Sequence, residues 1–76
     1  MSRPAFIGRN DGQEPLSPRQ QEVATLTAQG MKTALVAETL GIAYWTAADH
    51  LKEVYRRWGI NSRALLALEC QRRGLV

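Results

Sequence analysis

Between Leu16 and Val76 the apolar positions fall into four short groups, each closed by a polar or glycine-marked break. The first group carries the clearest start signal. Ser17 is a good N-cap, Pro18 suits the first helical position, and Gln20 stands three residues after Ser17, the spacing of a capping box. Val23, Leu26 and Thr27 then predict an inward stripe, and Gly30 a stop. The second helix is expected to begin near Thr33 as its N-cap. Leu35, Val36, Ala37 and Leu40 should form its packing face, with Gly41 ending it and Ile42 plugging the turn.

The third group, Tyr44 to Trp58, is the longest. Its start is weak because Ala43 offers no capping oxygen. At 100° per residue, Ala47, Leu51, Val54 and Trp58 fall on one side and should face the core. Trp45, Asp49, Lys52 and Arg56 fall on the opposite side, with Ala48 at its edge. Gly59 predicts the stop and Ile60 a return to the core. The fourth helix should start after Asn61 or Ser62 and end at Gly74. Ala64, Leu65, Leu66, Ala67, Leu68 and Cys70 make it apolar around more than one face, so one face covers the domain and the surplus calls for a twofold partner.

An all-α fold of four helices follows from this order. Only Gly41, Ile42 and Ala43 join the second and third helices, so the two must cross steeply as a helix-turn-helix. A helix held out from a small body in this way is a common means of entering the DNA major groove.

Composition narrows the picture. The 76 residues make one domain, and a domain of this size buries only about 60% of its unfolded surface. Residues 1–15 show no apolar period and are expected to form a flexible arm ahead of a body at 16–76. Local docking of Phe6 and Ile7, or DNA contact through Arg3 and Arg9, is the alternative, and disorder is the plainer expectation. The net charge is +3 with a pI near 9.6. Arg3 and Arg9 cancel Asp11 and Glu14, which leaves the body eight basic residues against five acidic ones. This mild basicity permits nucleic-acid binding, and a merely solvated surface accounts for it equally. A single cysteine, Cys70, forms no internal disulfide and is expected to be a packing residue. No apolar run approaches the roughly 20 residues of a membrane span, and no signal peptide is expected, so a cytoplasmic protein without membrane association is anticipated. His50 and Cys70 alone give no metal-ligand spacing, no cofactor motif is present, and no nucleophile, base or paired-carboxylate pattern suggests an enzyme.

The chain resembles the LuxR-type (GerE- or FixJ-type) DNA-binding domain over Leu16 to Val76. Leu16-Ser17-Pro18-Arg19-Gln20-Gln21-Glu22-Val23 is similar to that family's opening, with Gln20 where Glu is usual. Gly30, Val36-Ala37 and Leu40-Gly41-Ile42 match the central pattern. Thr46, His50 and Leu51 match the recognition helix, and Gly59-Ile60-Asn61-Ser62-Arg63-Ala64 the approach to the last helix. The resemblance implies a transcriptional regulator that dimerises mainly through its last helix. Most members carry a receiver or sensing domain ahead of this unit. Starting at its own methionine with a short arm, the chain is expected to stand alone and to encode no sensory input. Two departures stand out. Ala34 and Ala48 occupy positions where the family usually has lysine, and Asp49 follows.

On this basis Asp49, Lys52 and Trp45 are expected to face bases, and Lys32, Thr33, Arg56 and Arg57 to hold phosphates of double-stranded DNA. Leu65, Leu68 and Arg72 are expected at a homodimer interface. Asp49 and Lys52 have a plainer reading as an ion pair. Trp45 has two others: folding back against Ile42 or Tyr44, or anchoring a protein contact. His50 is expected at the helix boundary, on backbone or phosphate. The alternative function is an interaction module, an anti-regulator that kept the fold and binds another LuxR-type regulator or a host protein.

Overall fold

The computed structural model describes residues 15–76, and the expectations for an arm, including Arg3, Phe6, Ile7 and Arg9, lie outside the described residues. Four helices follow in order: α1 (Pro18–Ala28), α2 (Thr33–Leu40), α3 (Tyr44–Trp58) and α4 (Arg63–Arg72), with no strand among the described residues. α1 packs on both α3 and α4, while α2 lies mainly on α3. α3 is therefore held from behind by α1 and α2.

α1 starts as its sequence predicts. The Ser17 hydroxyl accepts from the Gln20 N–H at 3.2 Å and the Gln20 side chain accepts from the Ser17 N–H at 3.1 Å, a complete capping box. All four helices end alike. The N–H of the residue after a glycine donates to the carbonyl five residues back: Met31 to Leu26, Ile42 to Ala37, Ile60 to Tyr55 and Leu75 to Cys70. Gly41 and Gly59 frame the protruding helix and adopt φ of 68° and 66°, a left-handed conformation that a Cβ disfavours. The turn from α2 to α3 thus takes only three residues.

The core consists of Val23 and Ala24 from α1, Val36 from α2, Leu51, Val54 and Trp58 from α3, and Leu66 and Cys70 from α4. Ala47, Leu51, Val54 and Trp58 are all buried, as the period of α3 predicts. α2 corrects two expectations. Its N-cap is Lys32, with no side-chain cap bond, and Thr33 is the first helical residue. Leu35 is 46% exposed rather than packed; Val36 and Ala37 form the buried face and Leu40 is half-buried. In α1 the buried set is Val23, Ala24 and Thr27, with Leu26 half-buried. Ala24 lets α1 and α4 approach closely: the Cys70 thiol donates to the Ala24 carbonyl at 3.7 Å. Burial also pushes the Cys70 thiol pKa up.

Two long-range ties lock the frame. The Arg63 guanidinium donates to the Met31 carbonyl at 3.1 Å and to the Thr33 hydroxyl at 3.3 Å, joining the start of α4 to the start of α2. Arg73 lies 4.4 Å over the Trp58 ring and pairs with Glu69 at 2.9 Å, closing the end of α4 over the end of α3.

Candidate nucleic-acid interface

The outward face of α3 follows from the same period that buries its inner face. Trp45, Asp49, Lys52 and Arg56 recur at i, i+4, i+7 and i+11, and all four are exposed. Trp45 is the most prominent, 75% exposed, with its ring set edge-on to Tyr44 at 5.5 Å between centroids. The fold-back reading therefore holds only for the Tyr44 contact, since the indole stays in solvent. Tyr44 itself is 49% exposed and extends the aromatic surface.

The charges on this face divide into two kinds. Glu53 binds both Arg56 and Arg57; Arg57 Nε lies 2.8 Å from Glu53 Oε2 and Arg56 Nε 3.1 Å from Oε1. The two guanidinium groups hold the Glu53 carboxyl down at about 2, first by hydrogen bonding and then by their charge. Arg57 also donates to the Pro15 carbonyl at 3.0 Å, so it ties the start of the body to α3. Arg56 is the more exposed of the two. Asp49 and Lys52, by contrast, make no ion pair with one another or with any other described residue.

Lys32 is exposed just before α2, and Thr33 is half-buried with its hydroxyl held by Arg63. Ala34 is exposed and Ala48 half-buried at the edge of the outward face. His50 is half-buried within α3 rather than at its boundary. Arg63 is the residue that sequence reasoning passed over. It positions the Lys32–Thr33 corner; in the sequence it showed only as the residue after the Ser62 cap, within the match to the approach to the last helix.

On α4, Leu65, Leu68 and Arg72 share one stripe at i, i+3 and i+7, turned away from buried Leu66 and Cys70. Leu65 is 43% and Leu68 57% exposed, and Arg72 lies 3.5 Å from Glu69. The apolar surplus anticipated on α4 is present on its outer face.

No helix among the described residues is long and apolar enough to cross a membrane, and no group of three or more His, Cys, Asp or Glu among them stands close enough to hold a metal ion.

Comparisons with known proteins agree with this architecture. Residues 14–69 match the family profile described as bacterial regulatory proteins, luxR family. The transcriptional regulatory protein MctR of Rhizobium johnstonii is 35% identical over 66 residues, covering 87% of this chain and 31% of that protein. A putative HTH-type transcriptional regulator of Aeromonas salmonicida is 38% identical over 55 residues, covering 72% of this chain and 28% of its own length. One from Mycobacterium bovis is 32% identical and covers 88% of this chain but 8% of its own length. The chain thus spans about a third or less of the curated relatives it matches. No solved structure gives a significant match. With the profile covering most of the described helices, the chain belongs to the luxR family of bacterial regulatory proteins.

Proposed function

We propose that the domain binds double-stranded DNA as a transcriptional regulator in the cytoplasm, with α3 entering the major groove. The observation that carries this reading is the solvent-facing stripe Trp45–Asp49–Lys52–Arg56, set opposite a fully buried stripe on a helix supported by two others. A helix reads base edges only when its polar side stands proud of the body, and membership of a regulator family gives that face its purpose. Asp49, Lys52 and Trp45 face bases. Lys32, with Arg56 at the far end of the stripe, holds phosphates, while Thr33 and Arg57 serve the backbone contact from their anchored positions.

The same reading makes the protein a homodimer through α4. Leu65 and Leu68 leave an apolar strip with Arg72 at its end, and a twofold copy covers it isologously. Two α3 helices then meet half-sites about one helical turn apart. Fluorescence anisotropy of a labelled duplex over a salt series tests the core of the proposal. Binding should weaken steeply with salt; Lys32→Ala should lower affinity and reduce the salt slope by about one, and Lys52→Ala should lower affinity and relax base specificity. Absence of duplex binding at low salt overturns it.

A second reading has its own observation: the exposed Tyr44–Trp45 pair has the composition of a protein-binding anchor. In that case the domain is an interaction module for another luxR-type regulator or a host protein. Trp45→Ala then abolishes a protein complex while Lys52→Ala spares it, the reverse of the order expected for DNA.

A further inference from the structure

We propose that Asp49 is a base-selecting residue that makes each half-site require a C·G pair, by accepting a hydrogen bond from the cytosine N4 amine and excluding other bases. The inference rests on the DNA-binding reading above and specifies what its face recognises.

Three observations converge on Asp49. It is exposed at the middle of the outward stripe of α3, between Trp45 and Lys52. Glu22, Glu53 and Glu69 each hold arginines, whereas Asp49, like Glu38 on α2, pairs with no described residue. Lys52 stands one turn away, also exposed, and does not close a pair with it. Both residues are thus exposed on the outward face, and neither is held in an ion pair with a described residue. From Trp45 to Lys52 the helix rises about 10 Å along its own axis, and Asp49 lies between them on the outward stripe.

The chemistry then restricts which base Asp49 accepts. An ionised carboxylate only accepts hydrogen bonds. In the major groove the only donors are the exocyclic amines of cytosine and adenine; guanine presents N7 and O6, and thymine presents O4. Guanine and thymine therefore set acceptor against acceptor. Adenine offers N6, but its N7 lone pair stands beside it and repels the second carboxylate oxygen. Cytosine has only a C–H at that place. The same charge is repelled by every phosphate nearby. Asp49 thus lowers affinity for all duplexes and restores part of it only at cytosine, which is selectivity by exclusion.

Selection from a randomised duplex library, with the full chain as wild type, Asp49→Asn and Asp49→Ala, tests this. Anisotropy on the selected site, varied at one pair, then measures the preference. The wild type should recover one C·G position per half-site and disfavour T·A or G·C there by about tenfold or more. Asp49→Asn should move that position to A·T, because an amide binds adenine N6 and N7 together. Asp49→Ala should lose the preference there, keep the other positions, and bind random duplex more tightly than wild type at low salt. If duplex is recovered but both variants keep the wild-type base preference, or the wild type shows no C·G position, the Asp49 assignment is wrong. If the wild type recovers no duplex at low salt, the DNA-binding reading fails, and this inference fails with it.

Discussion

Leu66→Ala separates the two faces of α4 most sharply. Leu66 is fully buried and belongs to the core that joins α1, α3 and α4. The change removes three carbons, about 2–3 kcal/mol at roughly 0.8 kcal/mol per buried methylene. A core drawn from four short helices collapses poorly around the gap, so the cavity raises the loss to about 3–4 kcal/mol, within the range of buried Leu→Ala changes. A small domain has a total stability on the order of 5 kcal/mol, so the variant should be barely folded. Its thermal midpoint should fall by roughly 15–25 °C, at about 4–8 °C per kcal/mol. Urea titration followed by helical circular dichroism measures this. The companion variant Leu65→Ser/Leu68→Ser alters the half-exposed outer stripe and should cost the monomer less than about 1 kcal/mol. If that stripe joins two copies, the wild-type midpoint rises with protein concentration and the double variant loses the dependence. A loss below about 1 kcal/mol for Leu66→Ala would refute the packing argument.

Other consequences follow from single sites. Gly41→Ala should cost about 1–2 kcal/mol; no atom lies within 4 Å of the added Cβ, so the cost is backbone conformation alone, and Gly41→Asn should recover part of it in urea titrations. The carboxyl of Glu53 is depressed to about 2 when folded, so its stabilising pairing is complete above its ordinary value near 4.5 and is lost as pH falls toward 2. Glu53→Gln should flatten the stability profile over that interval and leave the shape of the profile above pH 5 unchanged. Cys70 is buried with a raised thiol pKa, so a thiol reagent at neutral pH should label it only at the rate of global opening. Fast labelling of the native protein would show that α1 and α4 part locally.

How much was legible in the sequence depended on whether the signal was local and periodic. The two faces of α3 were readable because fifteen residues give four turns of consistent phase. The α1 start was readable because Ser17, Pro18 and Gln20 interact within one turn. α2 was harder. Ala34 to Ala37 is a continuous apolar run in an eight-residue helix, so its phase is set by where α3 crosses, and Leu35 was left outside. Thr33 looked like a cap, yet its hydroxyl is claimed by Arg63 thirty residues away, a contact no local pattern carries. Ala24 was overlooked because its small side chain marks close helix approach rather than hydrophobic bulk. On the proposed interface, phase placed Trp45, Asp49, Lys52 and Arg56 outward, but the partners of Arg56 and Arg57 on Glu53, and of Arg57 on Pro15, emerged only from the fold.

The two tryptophans supply the most direct measurement of the central claim. Trp45 stands in solvent on the outward face of α3 and Trp58 is buried in the core. In nitrogen-labelled protein titrated with duplex at low salt, the Trp45 indole signal should shift together with the backbone amides of Asp49 and Lys52, while the Trp58 indole should stay in place. A titration that leaves Trp45 unmoved, or that shifts Trp58 and the α4 amides instead, would contradict the account.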